Sequence, residues 1–359
     1  MVSNKQSGFK DPWPPALHRF GSKLRPMLTL LLTITAVLAG CSRIDADTLF
    51  SDYQQRLSRV LDLPAAEVQL TPLPPLPAIR DLMHPIPASQ LNLLDLVALR
   101  HCNLQGLVAE RNNSLGKVMS SANLLGYELQ LLAGLKPCLV HPELSDALKA
   151  DLQHIYTQKQ QQLPLVLQNF LTTDLTIRKQ LTGQPRLLTH GASNAVAEPL
   201  AALKKLNLLK QHVLAQNEKL YPTLTASFIN QQLAVLHHGS FIADWQFSLR
   251  QSNAWLTLLN QQLSQVSPAG LCAKHATTEI LNTVLMQIFI PKVQGYLAEL
   301  DGISHQLVPE LTTLYQGTKL ADSVDVRLAQ PAQQLRELMK QHVSWYQQVQ
   351  QQCPQKPKA

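Results

Sequence analysis

The densest run of reactive side chains is Glu110-Arg111-Asn112-Asn113-Ser114-Leu115-Gly116-Lys117. Within it, Ser114-Leu115-Gly116-Lys117 matches S-x-x-K, a pattern in which a lysine lies beside a nucleophilic serine. Ser121-Ala122-Asn123 matches S-x-N shortly after it. Acyl transfer of that kind also needs a Lys-Thr-Gly triplet on a sheet strand, and the chain has no such triplet. The two motifs also lie too close in sequence for that fold, so serine catalysis is not expected. What remains is a polar cluster at a helix-to-turn junction. Glu110, Arg111, Asn112, Asn113 and Lys117 are candidate binding residues. Ordinary capping and turn hydrogen bonding is the commoner use of such side chains.

Other chemistry is sparse. There is no H-E-x-x-H, no G-x-S-x-G, no phosphate-binding loop and no G-x-G-x-x-G. No two histidines recur at helical spacing and the cysteines show no CxxC pair, so neither metal nor cofactor is expected. His342 falls on an apolar helical stripe and reads as a core histidine. His237-His238 falls at a helix end, where cationic side chains suit the dipole. Trp245, Phe247, Trp255, Trp345 and Tyr346 read as core. No run of Lys and Arg suits nucleic acid, so no nucleic-acid partner is expected.

The elements that must position these residues are helices. Apolar residues make up 45% of the chain and charged residues 15%, with glutamine filling the polar gap. Glycine is sparse, β-branched alternation is nearly absent, and leucines recur at 3–4 spacing, which reads as all-α. Helices are expected over Asp47–Leu61, Leu91–Arg111, Ser121–Leu135 and Leu144–Leu181, the last kinked at Pro164. Further ones are expected near 196–220, 223–237, 240–266, 277–300 with a kink at Pro291, 304–315, and 326–352. Seven prolines between residues 64 and 87 imply an extended stretch. Its interspersed leucines favour a strap laid across the body over a free spacer. The loop 183–195 is the best boundary between a first helical half, 89–182, and a second, 196–353, with a tail over 354–359. The expected architecture is therefore two packed helical-bundle halves.

Five cysteines carry two further kinds of chemistry. The run Met27 to Cys41, MLTLLLTITAVLAGC, follows Lys23 and Arg25 and ends Leu38-Ala39-Gly40-Cys41. It resembles a bacterial lipoprotein signal peptide with its lipobox. The apolar segment is too short for a comfortable membrane span, which needs about 20 residues. Residues 1–40 are then expected to be removed and Cys41 lipidated, which anchors residues 41–88 and the body behind them to a membrane. The basic residues precede Met27, so translation is expected to start between Met1 and the residue before Lys23. Ser42, in place of an aspartate, implies sorting to the outer membrane. Removal of residues 1–40 lowers the formal charge from +7 to +3 and leaves 319 residues. No later stretch has 18 unbroken apolar residues, so the rest is expected to be soluble.

Four cysteines remain, and an oxidising periplasm would pair them. The pairing that closes each loop within its own half is Cys102–Cys138 and Cys272–Cys353. A zinc site or free buried thiols are the alternatives.

The order of motifs is the lipobox, D-Y-Q-Q-R-L-S-R-V-L (Asp52 to Leu61), a Pro-Leu stretch, L-D-L-V-A-L-R-H-C (Leu94 to Cys102), and A-E-R-N-N-S-L-G-K-V-M (Ala109 to Met119). Y-E-L, Cys138 and a C-terminal cysteine follow. This order resembles a family of Gram-negative envelope lipoproteins described only as a domain of unknown function. The resemblance covers most of the mature chain. It implies no activity, substrate or catalytic residue, and it strengthens the two-disulfide reading. The expected function is a non-catalytic binding or scaffolding factor in the cell envelope, with a protein or glycan partner. A small-ligand or enzyme site in a cleft between the helical halves is the alternative.

Overall fold

A computed structural model describes residues 46–64, 66–87, 97–182 and 186–353. Cys41, on which the lipid anchor rests, lies outside them. Among the described residues there are helices and no strands, so the fold is all-α.

Helix α1 (Ala46–Leu61) carries Phe50, Tyr53 and Leu57 at 3–4 spacing, and all three are buried. After it the chain runs extended to a single short turn, α2 (Ile79–Leu82). A 3-10 turn (Leu99–Cys102) and α3 (Gln105–Asn112) lead by a second 3-10 turn (Gly116–Val118) into α4 (Ser121–Cys138). Then come α5 (Asp146–Thr173), α6 (Leu175–Thr182), α7 (Ala197–Leu214), α8 (Ala226–His238) and α9 (Phe241–Ser264). The C-terminal part holds α10 (Pro268–Leu271), α11 (His275–Val284), α12 (Gly295–Tyr315), α13 (Ala321–Val324) and α14 (Gln330–Gln352).

Capping fixes several of these boundaries. Ser120, Ser145 and Thr225 accept bonds from the amides of Asn123, Leu148 and Phe228. The helix expected over Leu144–Leu181 stays helical through Pro164 and breaks instead at Asp174. There the Asp174 carboxylate accepts from the amides of Thr176 and Ile177, which starts α6. The helix expected over Leu91–Arg111 is not continuous where it is described. Asn103 adopts a left-handed conformation, φ 59°, which asparagine tolerates better than most residues. The break expected between residues 300 and 304 is absent, because Leu300, Ile303, Ser304 and Leu307 continue one buried stripe through α12.

Two prolines widen the helix rather than simply kinking it. Pro291 lies in a π-helical stretch, Leu285–Gln294, and Pro331 follows another, Asp325–Ala329. Proline has no N–H for the carbonyl four residues back, and its ring crowds that carbonyl, so the ladder opens.

Helices α4 and α5 pack as a hairpin, joined by a buried Lys159–Glu128 ion pair at 2.6 Å. Helix α8 packs on α4 so closely that a Cβ on Gly126 would lie 2.4 Å from the Ala226 nitrogen. Helix α6 packs on both α8 and α9, so elements on either side of loop 183–195 share one contiguous core. The ammonium of Lys210 donates to the carbonyls of Thr313, Leu314 and Gln316, closing the end of α12. Cys102 pairs with Cys138 and Cys272 with Cys353, with Cα separations of 5.3 and 5.1 Å.

Candidate functional site

The polar cluster read from the sequence is one self-contained turn. Arg111 donates from Nη1 to the carbonyl of Gly116, and Asn113 Oδ1 accepts from the Gly116 amide at 2.7 Å. Gly116 lies so close to the end of α3 that a Cβ there would be 2.1 Å from the Glu110 carbonyl oxygen. Glu110, Asn112 and Lys117 are exposed, and Leu115 and Val118 project beside them. Asn123 of the S-x-N match pairs with Asn230 at 2.7 Å, and Ser121 reaches Asp174 at 3.4 Å. Neither approaches Ser114 or Lys117 through a hydrogen bond. Local turn chemistry therefore uses Arg111 and Asn113.

A more concentrated arrangement lies beneath the proline-rich segment. Its backbone carbonyls are taken one after another by side chains of the body. Gln262 donates to Pro64 and Gln54 to Ala66, each at 2.9 Å. Arg250 donates to Thr71, Arg327 to Pro74, and Arg178 to Pro77 at 2.9 Å. Farther on, Lys319 donates to Asp81 at 3.0 Å, and Asn169 pairs with both backbone groups of His84. Proline-rich backbone cannot join a ladder of its own, so it depends on such donors.

Two cavities open where this segment crosses α6, α9 and the π-helical turn before α14. One, of about 420 Å³, holds Arg178, Arg250, Arg327 and Gln246 beside the apolar Leu76 and Phe247. The other, of about 590 Å³, presents Gln69, Asn253, Gln261 and Gln334, with exposed Glu67 at its wall. Leu73, Pro74 and Arg250 border both. Each arginine has a structural reason for its position. Arg178 stands on α6, started by the Asp174 cap. Arg250 lies on a polar stripe of α9, Gln246, Arg250, Asn253, Thr257 and Gln261, spaced 3–4 residues apart. Arg327 is turned inward by the widened helix ahead of Pro331.

The electrostatics are unusual. Among the described residues, none of the three guanidinium groups has a carboxylate within ion-pair distance; their partners are backbone carbonyls. Arg327 is only 5% exposed. Burial, and then the like charge of Arg250, draw its guanidinium pKa down, and burial does the same to Arg250. Gln246 is 5% exposed and its Nε2 has no hydrogen-bond partner, and the Oδ1 of Asn253 is likewise unpaired.

A third polar cluster lies under α1. Tyr53 Oη is 2.7 Å from His342 Nε2 and 2.9 Å from Tyr346 Oη. His342 Nδ1 meets Asn260 Oδ1 at 2.7 Å, and Asn260 donates onward to the Leu338 carbonyl. Burial pushes the His342 pKa down to about 3, so the ring is neutral. Nearby, Asp47 accepts from both Trp255 and Gln251. His342 is thus a satisfied core histidine, as its stripe suggested.

Sequence reasoning missed Arg178, Arg250, Arg327 and Gln246. The signal available was the polar stripe of α9, five uncharged or basic positions at helical spacing inside a helix otherwise rich in buried residues. Among the described residues no three His, Cys, Asp or Glu side chains gather to hold a metal, and no helix is long and apolar enough to cross a membrane.

The chain belongs to the family described as proteins of unknown function, DUF3080, which matches residues 50–357. Comparison with curated proteins and with solved structures gives no match.

Proposed function

We propose that this chain is a lipid-anchored, non-catalytic binding factor of the Gram-negative cell envelope, held by lipid on Cys41 to the outer membrane with its body in the periplasm. The anchor reading rests on the lipobox-like run ending at Cys41 and is supported by two disulfides, which persist in oxidising compartments. Helix α1 begins five residues after Cys41 in the sequence, and its Phe50, Tyr53 and Leu57 are buried in the core.

The binding reading rests on the cleft beneath the proline-rich segment. It gathers three cationic groups and several amides in concave space, which is how recognition sites are built. Its lining carboxylate, Glu67, is exposed at the wall and shares no hydrogen bond with the lining hydroxyls of Thr71 and Thr257, whereas covalent catalysis links nucleophile and base directly. The partner is an envelope protein, a glycan or a smaller ligand presented there.

In-cell crosslinking of the lipidated protein tests this reading, with a photoreactive side chain at Gln69 on the cleft rim. A specific adduct, lost with Arg250→Gln and retained with Arg111→Ala plus Lys117→Ala, would support the cleft. Adducts lost only in the second variant would move recognition to the Glu110–Lys117 turn. Acyl labelling that persists in Cys41→Ser would remove the anchor.

A further inference from the structure

We propose that the 420 Å³ cavity is an oxyanion site, in which Arg178, Arg250, Arg327 and the Gln246 amide hold the phosphate or carboxylate group of a small ligand. This rests on the binding reading above and names the chemistry of that site.

A guanidinium carries a permanent charge and five N–H donors, and a buried charge is costly without an opposite one. Here three of them line one cavity with no carboxylate among its lining residues. Arg178 and Arg327 each spend two bonds on carbonyls, and Arg250 spends one. Holding a carbonyl of the extended segment does not require charge, because Gln54 and Gln262 do the same work with neutral amides.

The carboxylates nearest in sequence are committed elsewhere. Asp174, one turn before Arg178, caps α6. Asp244, beside Gln246, accepts from the Arg186 amide and from Ser240. Asp325, beside Arg327, accepts from Gln330. The cations are therefore left facing a cavity that Gln246 also lines, and among the described residues Gln246 Nε2 is the one buried side-chain amide nitrogen without a hydrogen-bond partner. Oxyanions match guanidinium geometry with paired bonds, and three positive groups in a concave, partly desolvated site concentrate them. Leu76 and Phe247 flank the arginines, so a ligand with a short apolar part beside its anion is favoured over the bare ion.

Isothermal calorimetry on the full-length chain in neutral detergent tests this. Inorganic phosphate, butyl phosphate and acetate are titrated separately against chloride at equal ionic strength. Saturable one-site binding by at least one of them is expected, weakened tenfold or more by Arg250→Gln and by Gln246→Leu, with circular dichroism confirming that both variants fold. Phosphate or acetate as the stronger anion would identify the ligand group, and tighter binding of butyl phosphate would place the apolar part. No saturable binding beyond chloride, or equal affinity in both variants, would overturn the proposal. Should anions fail while the Gln69 crosslink persists, the ligand class is wrong and the cleft stands. Should both fail, the cleft itself is only a structural fastening.

Discussion

Along α1, the N-terminal part of the chain is held by a closed seam: Phe50 stacks on Trp255, and Tyr53 bonds His342 and Tyr346. Along residues 64–87 the same part of the chain is held open, by side chains reaching to backbone carbonyls over two cavities. In the seam, Tyr53, both His342 nitrogens and Asn260 all have partners, and the rings are neutral. Under the extended segment, charge outnumbers its partners. A closed polar network specifies how two elements fit, whereas the donors left over under the extended segment are those that the proposed ligand would take up. The two regions therefore differ in kind, although both fasten the N-terminal part to the body.

The difference can be broken or sharpened by substitution. The largest effect is expected from Phe50→Ala, which empties a fully buried ring site and should cost about 3–5 kcal/mol of stability in urea unfolding. A loss below about 1 kcal/mol would mean that α1 is not part of the core.

Acid should come next. The His342 pKa is lowered in the folded protein to about 3, against 6.5 for the free side chain. The unfolded chain thus takes up the proton first, so this contribution is complete above pH 6.5 and is lost as the pH falls toward 3. By pH 5 the loss should reach about 2 kcal/mol. His342→Gln should abolish that slope in urea midpoints measured across pH, whatever it does to stability at pH 8. An unchanged slope would place the acid sensitivity elsewhere.

Tyr53→Phe keeps the ring but leaves His342 and Tyr346 each short of a partner, and should cost about 1–3 kcal/mol. Arg250→Gln should cost less than about 1 kcal/mol, because it removes one carbonyl bond while relieving a like charge beside Arg327. Its visible effect should instead be faster proteolysis between residues 66 and 78. A loss as large as that of Tyr53→Phe would show that the two regions are equally structural.

The helices were largely legible, because leucine periodicity acts locally. So was His342, which sits on the apolar stripe of α14. The cysteine pairing was legible from which elements could lie side by side. Breaks set by single residues were not. Asn103 turns left-handed and Asp174 caps a new helix, yet neither interrupts the apolar pattern around it. Pro291 was readable as a disturbance, whereas Pro331 lies inside the helix expected over 326–352; only the structure shows that the helix widens at both and that Arg327 is buried in the second widened stretch. The cleft was hidden for a different reason. Arg178, Arg250 and Arg327 are far apart in sequence, and their partners are carbonyls, which no side-chain motif records. The run from Glu110 to Lys117 drew attention because its polar residues are adjacent, and adjacency is what a turn requires.

Hydrogen exchange on the full-length chain, with and without a saturating concentration of the anion that binds, would test the distinction most directly. Amides between Val68 and Ala78 are expected to exchange more slowly with anion present, while those of α1 stay unchanged. No change in either region, or equal slowing in both, would contradict a ligand site beneath the extended segment and a purely structural seam under α1.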